Sequence, residues 1–308
     1  MSDFTSAKTS HRHGVISVLV ALPFVSLTGL FGKFLTFSPL LIVQGRTVFA
    51  FGALLLALFF LRKKIFFSDL REWLWLALSG SILGVHWIAF FQAIQVSTVA
   101  IGLLSFASYP LFTTLLEPLF FREPLRVRNV IAALIVICGL VLMATTSSDD
   151  SNTIISGSIF HGILWGLMAG FGFAVLTLLN RGHVRKHSAL LITCWQNGFA
   201  ALVILPWSLS ESWILSGKEL GLLFLLGVVC TVGGHTLLIN GLRHVRAQVA
   251  SLLIAGLEPV FAILFALFLL GEVPSLQTLL GGVLIISTTV FIIYGTEQKE
   301  IPEQAVSK

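Results

Sequence analysis

Residues 249–272 read Val-Ala-Ser-Leu-Leu-Ile-Ala-Gly-Leu-Glu-Pro-Val-Phe-Ala-Ile-Leu-Phe-Ala-Leu-Phe-Leu-Leu-Gly-Glu. As far as Leu270 this stretch holds one ionisable side chain, Glu258, and at about 1.5 Å per residue a helix of that length measures ~33 Å. The hydrocarbon core of a bilayer is about 30 Å thick, so the run reads as a helix that crosses a membrane with a carboxylate about 14 Å deep. Further apolar runs of crossing length lie at 14–32, 39–61, 73–94, 100–121, 129–145, 159–180, 189–207, 220–242 and 276–294, which makes ten with 249–270. Composition agrees: of 308 residues 56% are hydrophobic and 11% charged, where a soluble domain is roughly a quarter charged. Too few charged side chains remain to cover a water-facing surface. The expected fold class is all-α, a polytopic membrane protein with ten transmembrane helices.

The charges that remain are sorted by side. Sixteen of the 19 Lys and Arg residues fall in the N-terminal tail, in the loops 62–72, 122–128, 181–188 and 243–248, and in the C-terminal tail. Only Lys33 and Lys218 fall on the other side, and Arg46 lies inside a span. Basic loops stay in the cytoplasm, so both termini are expected there. The net charge of +5 is thereby an orientation signal and gives no reason to expect nucleic acid. No Ala-x-Ala site follows the first run, which is expected to be a retained helix. Cys138, Cys194 and Cys230 lie in apolar runs without ligand spacing, so no metal site and no disulfide framework is expected.

The polar stretch 146–158 divides the chain into two sets of five spans whose residues match. His13-Gly14 recurs as His161-Gly162, Leu40-Leu41-Ile42 as Leu190-Leu191-Ile192, and Phe49-Ala50 as Phe199-Ala200. His86 matches His235, Pro110 matches Pro259 and Glu123 matches Glu272. Because each half has an odd number of spans, the second enters the bilayer upside down. Two inverted five-helix repeats follow, an architecture with its site near the midplane at the repeat interface. The expected organisation is a first repeat at 1–145, a periplasmic linker at 146–158, a second repeat at 159–295 and a cytoplasmic tail at 296–308.

This repeat resembles the EamA-type repeat of the drug/metabolite transporter superfamily. The resemblance is carried by Val249-Ala250-Ser251-Leu252-Leu253, Leu257-Glu258-Pro259-Val260 and Gly271-Glu272, with a weaker copy in Tyr109-Pro110 and Arg122-Glu123-Pro124. It implies a ten-helix bundle exporting small metabolites or amino acids from bacteria, with a central cavity lined mainly by spans 1, 3, 4, 6, 8 and 9.

An ionisable group in hydrocarbon costs from about 2.5 kcal/mol upward and must face protein or water. Glu258 before Pro259 is a candidate for exchanging a proton or holding a substrate ammonium, or else for bracing a neighbouring helix. His86 and His235, on spans expected to line the cavity, suit a carboxylate or a proton. Gln92, Asn240, Tyr109, Trp87 and Trp165 could shape the pocket, although packing or interfacial anchoring also accounts for the aromatic residues. Arg46 has the fork to hold a carboxylate or a structural role. Glu117, close to the end of its span, is a gating candidate, and Pro110 with Pro259 are candidate hinges. Glu123 and Glu272 read as caps of the helices that follow them.

Together these features predict a secondary transporter working by alternating access, most simply an exporter of small amphipathic metabolites or amino acids. The same fold could also serve an importer or facilitator. Protons are a candidate coupling ion, the bilayer is the obligate partner, and no cofactor is expected. No Gly-x-x-x-x-Gly-Lys-Ser/Thr loop is present to bind nucleotide, and no His-Glu-x-x-His or Gly-x-Ser-x-Gly motif suggests an enzyme.

Overall fold

A computed structural model describes residues 2–121, 127–144, 157–184, 186–213, 216–245, 247–288 and 290–291. Every regular element among them is helical. These are α1 (Ser2–Phe34), α2 (Pro39–Phe60), α3 (Leu70–Val96), α4 (Val99–Phe106), α5 (Tyr109–Phe121), α6 (Val127–Ala144), α7 (Gly157–His183), α8 (Ala189–Ser208), α9 (Gly217–Phe224), α10 (Thr236–Leu242), α11 (Ala247–Leu270) and α12 (Leu276–Thr288). Between α9 and α10 the chain continues as a π-helix, Leu225–His235. Helix starts are set by short polar side chains that accept from orphan backbone N–H groups. Ser38 accepts from Leu41 N, with Pro39 opening the helix, and Ser188 accepts from Leu191 N. These two caps occupy the same place in the two halves.

Eight stretches among the described residues are long and apolar enough to cross a membrane. The 18-residue α6 and the shorter apolar α12 occupy the places of the fifth and tenth expected spans. Residues 146–156 of the expected linker lie outside the described residues, and its last two, Gly157 and Ser158, already belong to α7. The tail 296–308 and Glu123 also lie outside them. The outward faces carry side chains such as Phe59, Phe60, Leu134 and Phe268, as suits a surface solvated by acyl chains.

The bundle has an internal two-fold arrangement. Helix α3 lies along α7 while α1 lies along the π segment and α10; α4 and α5 meet α7 while α11 meets α1; and α2 packs on α8 across the axis. Small residues let the backbones approach, and their contacts repeat in detail. A Cβ on Gly80 would stand 2.6 Å from Phe199 Cβ and 2.8 Å from the Gln196 carbonyl oxygen. On Gly227 it would stand 2.7 Å from Phe49 Cβ and 2.8 Å from the Arg46 carbonyl oxygen.

This packing gives the true register of the repeat. Gly80 and Gly227 are mates 147 apart. Further along, Gly14 and Gly162 rest on the carbonyl oxygens of Gly241 and Ala93, which are mates 148 apart. The offset grows by one residue across Leu225–His235, because a π-helix spends an extra residue per turn. A Cβ on Gly234 meets Phe24 Cβ at 3.2 Å, as one on Gly172 meets His86 Cβ at 3.2 Å. His86 is therefore the mate of Gly234, and His235 takes the place of Trp87; the sequence match of the two histidines is corrected.

Candidate solute-binding cavity

The π segment and the crossing of α1, α3, α7 and α11 leave a narrow cavity inside the bundle. Its walls are Val25 and Thr28 of α1, Arg46 of α2, His86, Trp87 and Phe90 of α3, Phe106 of α4, Phe173 of α7, Cys230 and His235 of the π segment, Leu238 of α10 and Glu258 of α11. Both repeats contribute. Five candidates from the sequence, Arg46, His86, Trp87, His235 and Glu258, thus meet in one place.

Arg46 is 3% exposed. A buried guanidinium must replace its lost hydration, and here Nε and Nη2 donate to Thr231 Oγ1 at 3.2 and 2.9 Å. Thr231 in turn donates to Leu226 O, five residues back along the π turn, at 2.8 Å. The guanidinium carbon lies 3.6 Å from the centroid of the Trp87 ring, a cation–π contact strengthened by burial. Nη1 has no hydrogen-bond partner, and among the described residues no carboxylate forms an ion pair with Arg46.

His86 is fixed by its Nδ1, 2.8 Å from the Ala169 carbonyl oxygen. A carbonyl only accepts, so Nδ1 carries the proton and Nε2 is left for other partners. Phe90, Phe106 and Phe173 surround this ring at centroid distances of 6.3, 5.6 and 5.3 Å. His235 also lines the cavity, its ring tilted against that of Trp87 at 5.4 Å, with its buried Nδ1 unpartnered. Glu258 is 2% exposed and is the cavity's one carboxylate among the described residues.

The remaining candidates lie elsewhere. Tyr109 is fully buried behind the wall, stacked on Phe106 at 5.2 Å and edge-on to Phe173 at 4.9 Å. Gln92, Asn240 and Trp165 are half-buried and do not line the cavity. Pro110 is the second residue of α5, just after the helix break at Ala107-Ser108, whereas Pro259 sits inside the continuous α11. Glu117 belongs to α5, but its side chain lies outside the described residues. Glu272 does not cap the helix after it: its Oε2 accepts from Val99 N at 2.9 Å, across the bundle at the start of α4, and Ser275 supplies the cap of α12. Sequence reading missed Thr231 and the phenylalanine walls. Thr231 stands four residues before His235, on the same helical face, and that spacing could have found it.

Helix ends are tied together on both faces of the bundle. On the face rich in Lys and Arg, Glu72 Oε2 lies 3.0 Å from His183 Nε2 and 3.5 Å from His187 Nε2. Arg243 donates to the carbonyl oxygens of Val184 and His187 at 3.1 and 2.7 Å. On the opposite face Thr36 donates to Glu219 Oε1 at 2.9 Å, Ser38 donates to Glu211, and Lys33 Nζ donates to Ser97 O at 2.7 Å.

A two-repeat membrane bundle with a cavity lined from both repeats is the build of many secondary transporters. The model of the EamA-like transporter family matches residues 12–145 and again 160–294. The chain belongs to that family and is a multi-pass membrane transporter. It is 28% identical over 261 residues to an uncharacterized transporter, YwfM, of Bacillus subtilis (strain 168), covering 81% of this chain and 84% of the relative. It is 31% identical over 195 residues to a Rickettsia conorii protein named S-adenosylmethionine uptake transporter, covering 62% of each. The protein of that name in Rickettsia prowazekii is 32% identical over 208 residues, covering 67% of this chain and 66% of the relative. One solved protein structure shares the fold, with a TM-score of 0.63 at 17% identity over 91% of this chain and 94% of the other.

Proposed function

We propose that this protein is a secondary transporter of the inner membrane, its basic face toward the cytoplasm, that exports small amphipathic metabolites, amino-acid derivatives among them, by alternating access. The observation that carries this reading is the cavity itself, which draws a cation, a carboxylate and aromatic walls from both repeats. Near-equivalent halves give inward- and outward-open states of similar energy, so rocking one repeat against the other exposes the same residues to either side. The division between 1–145 and 159–295 is on this reading the division between the moving parts. Glu258 is the group suited to proton coupling, being a titratable carboxylate on the cavity wall. The chemistry performed is translocation, with no bond made or broken.

Uptake is the second reading, favoured by the name carried by the two Rickettsia relatives. The two readings differ in the direction of flux and both require it, and one experiment tests that shared requirement. Purified protein in liposomes, with S-adenosylmethionine, methionine and phenylalanine supplied on one side, should carry at least one of them, and an imposed pH gradient should change the rate. Glu258→Gln should abolish the response to the pH gradient while facilitated exchange continues. Failure of the wild type to move any member of the panel would sink the transport reading for these solutes.

A further inference from the structure

We infer that the cavity holds the carboxylate of its solute in a two-donor seat made by Arg46 Nη1 and His235 Nδ1 at the indole of Trp87. This deepens the transport reading above and rests on it for the route by which the solute arrives.

Two facts independent of each other mark the seat. Arg46, 3% exposed, keeps Nη1 without a partner although its other two nitrogens are engaged by Thr231. His235, 8% exposed, keeps Nδ1 without a partner. A buried N–H left unmade carries a desolvation penalty that a ligand acceptor removes, and His235 offers one at Nδ1 in its Nδ1–H tautomer, which a bound carboxylate selects. Both residues border the same ring: the guanidinium lies 3.6 Å and the imidazole 5.4 Å from the centroid of Trp87. Other buried polar atoms also lack partners, among them those of Gln44 and Asn197, but their residues do not line the cavity.

The chemistry of the ligand follows from what surrounds the donors. A guanidinium buried without a counter-ion in the protein favours an anion, and its planar fork suits a carboxylate. Glu258 on the same cavity wall repels a dianion such as phosphate and attracts a positive centre. One carboxylate beside one cationic centre satisfies both, and that is the head group of an α-amino acid. His86 takes no part in the seat: its proton is on Nδ1 and spent on Ala169 O, so its Nε2 can only accept and gives a carboxylate nothing. The departure from symmetry is what makes the site: the residue that stands where the first repeat has Trp87 is, in the second repeat, a histidine.

The experiment compares each acid with its decarboxylated partner: S-adenosylmethionine with decarboxylated S-adenosylmethionine, and phenylalanine with phenethylamine. Flux is followed in proteoliposomes, and binding is followed separately as the ligand-induced rise in Tm in detergent. Wild-type protein should prefer the acid by roughly tenfold or more, the worth of a charge-assisted hydrogen-bond pair. His235→Phe and Arg46→Lys should each reduce that preference toward unity, and continued response to the amines shows that these variants remain folded. Equal response of the wild type to acid and amine, no response to any of the four, or an undiminished preference in both variants would overturn the seat. A preference retained in binding with no flux would count for the seat and against the transport reading.

Discussion

Two carboxylates in equivalent places, Glu72 and Glu219, close the two faces of the bundle with different chemistry. They are 147 residues apart, the offset that relates Gly80 to Gly227, and each sits in the first turn of its helix. Each reaches the chain leaving the first helix of the other repeat. Glu219 is met there by the Thr36 hydroxyl, and Glu72 by the imidazoles of His183 and His187, with Lys186 4.0 Å away. One tie is a hydroxyl donating to a carboxylate, the other a carboxylate set between two imidazoles. Symmetry in an inverted repeat thus fixes where the two faces are tied, and the residues placed there decide the chemistry of each tie.

Breaking the shared framework should have the largest effect, and the same one in both halves. A side chain at Gly80 or Gly227 would strike backbone and Cβ atoms within 3 Å that have no room to move. Gly80→Leu and Gly227→Leu should each cost more than the roughly 1–3 kcal/mol of ordinary overpacking and leave little folded protein, measured as the monodisperse yield and the Tm in detergent. If one variant were tolerated and the other lethal, the contacts would not be symmetric in energy as they are in geometry.

The next effect separates the faces. Glu72 has both imidazoles within 3.5 Å, so the double substitution His183→Leu with His187→Leu should loosen the basic-face tie. Asp69, Arg71 and Arg181 border the same cleft and Arg243 holds the loop by its carbonyls. The loss is about 1 kcal/mol for partly exposed pairs, a population shift of roughly fivefold toward opening of that face. A cysteine introduced below the cleft should label about five times faster in the double variant than in the parent. Unchanged labelling would mean that the carbonyl bonds of Arg243 hold this face alone.

Much of this arrangement could be read in the sequence, for reasons that also explain the failures. Spans and the repeat were legible because a bilayer demands long apolar runs and because Leu40-Leu41-Ile42 recurs as Leu190-Leu191-Ile192. Arg46, His86, Trp87, His235 and Glu258 were legible because polar groups in hydrocarbon are few. The one-residue insertion in the π segment was invisible, and it made His86 and His235 look like mates when the backbone pairs His235 with Trp87. Contacts between repeats were equally hidden: Glu272 is sequence-adjacent to α12, yet it accepts from α4. Phe90, Phe106 and Phe173 wall the cavity, but among 26 phenylalanines no local pattern distinguishes the three.

The smallest effect belongs to the face without histidines. Thr36→Val keeps the side-chain shape and removes the hydroxyl that donates to Glu219, whose carboxylate retains the N–H and hydroxyl of Ser216 in the capping box at the start of α9. The lost bond is exposed and weakened by solvent, so labelling on this face should rise only slightly. It should rise equally at pH 6 and pH 8, because neither partner left behind changes charge in that range. Thr36→His supplies the converse, placing an imidazole opposite Glu219 as His183 stands opposite Glu72. If partner chemistry alone separates the faces, that variant should slow labelling on this face at pH 6 relative to pH 8; if it does not, the difference between the faces resides in the depth of burial of the two carboxylates and not in the residue that meets them.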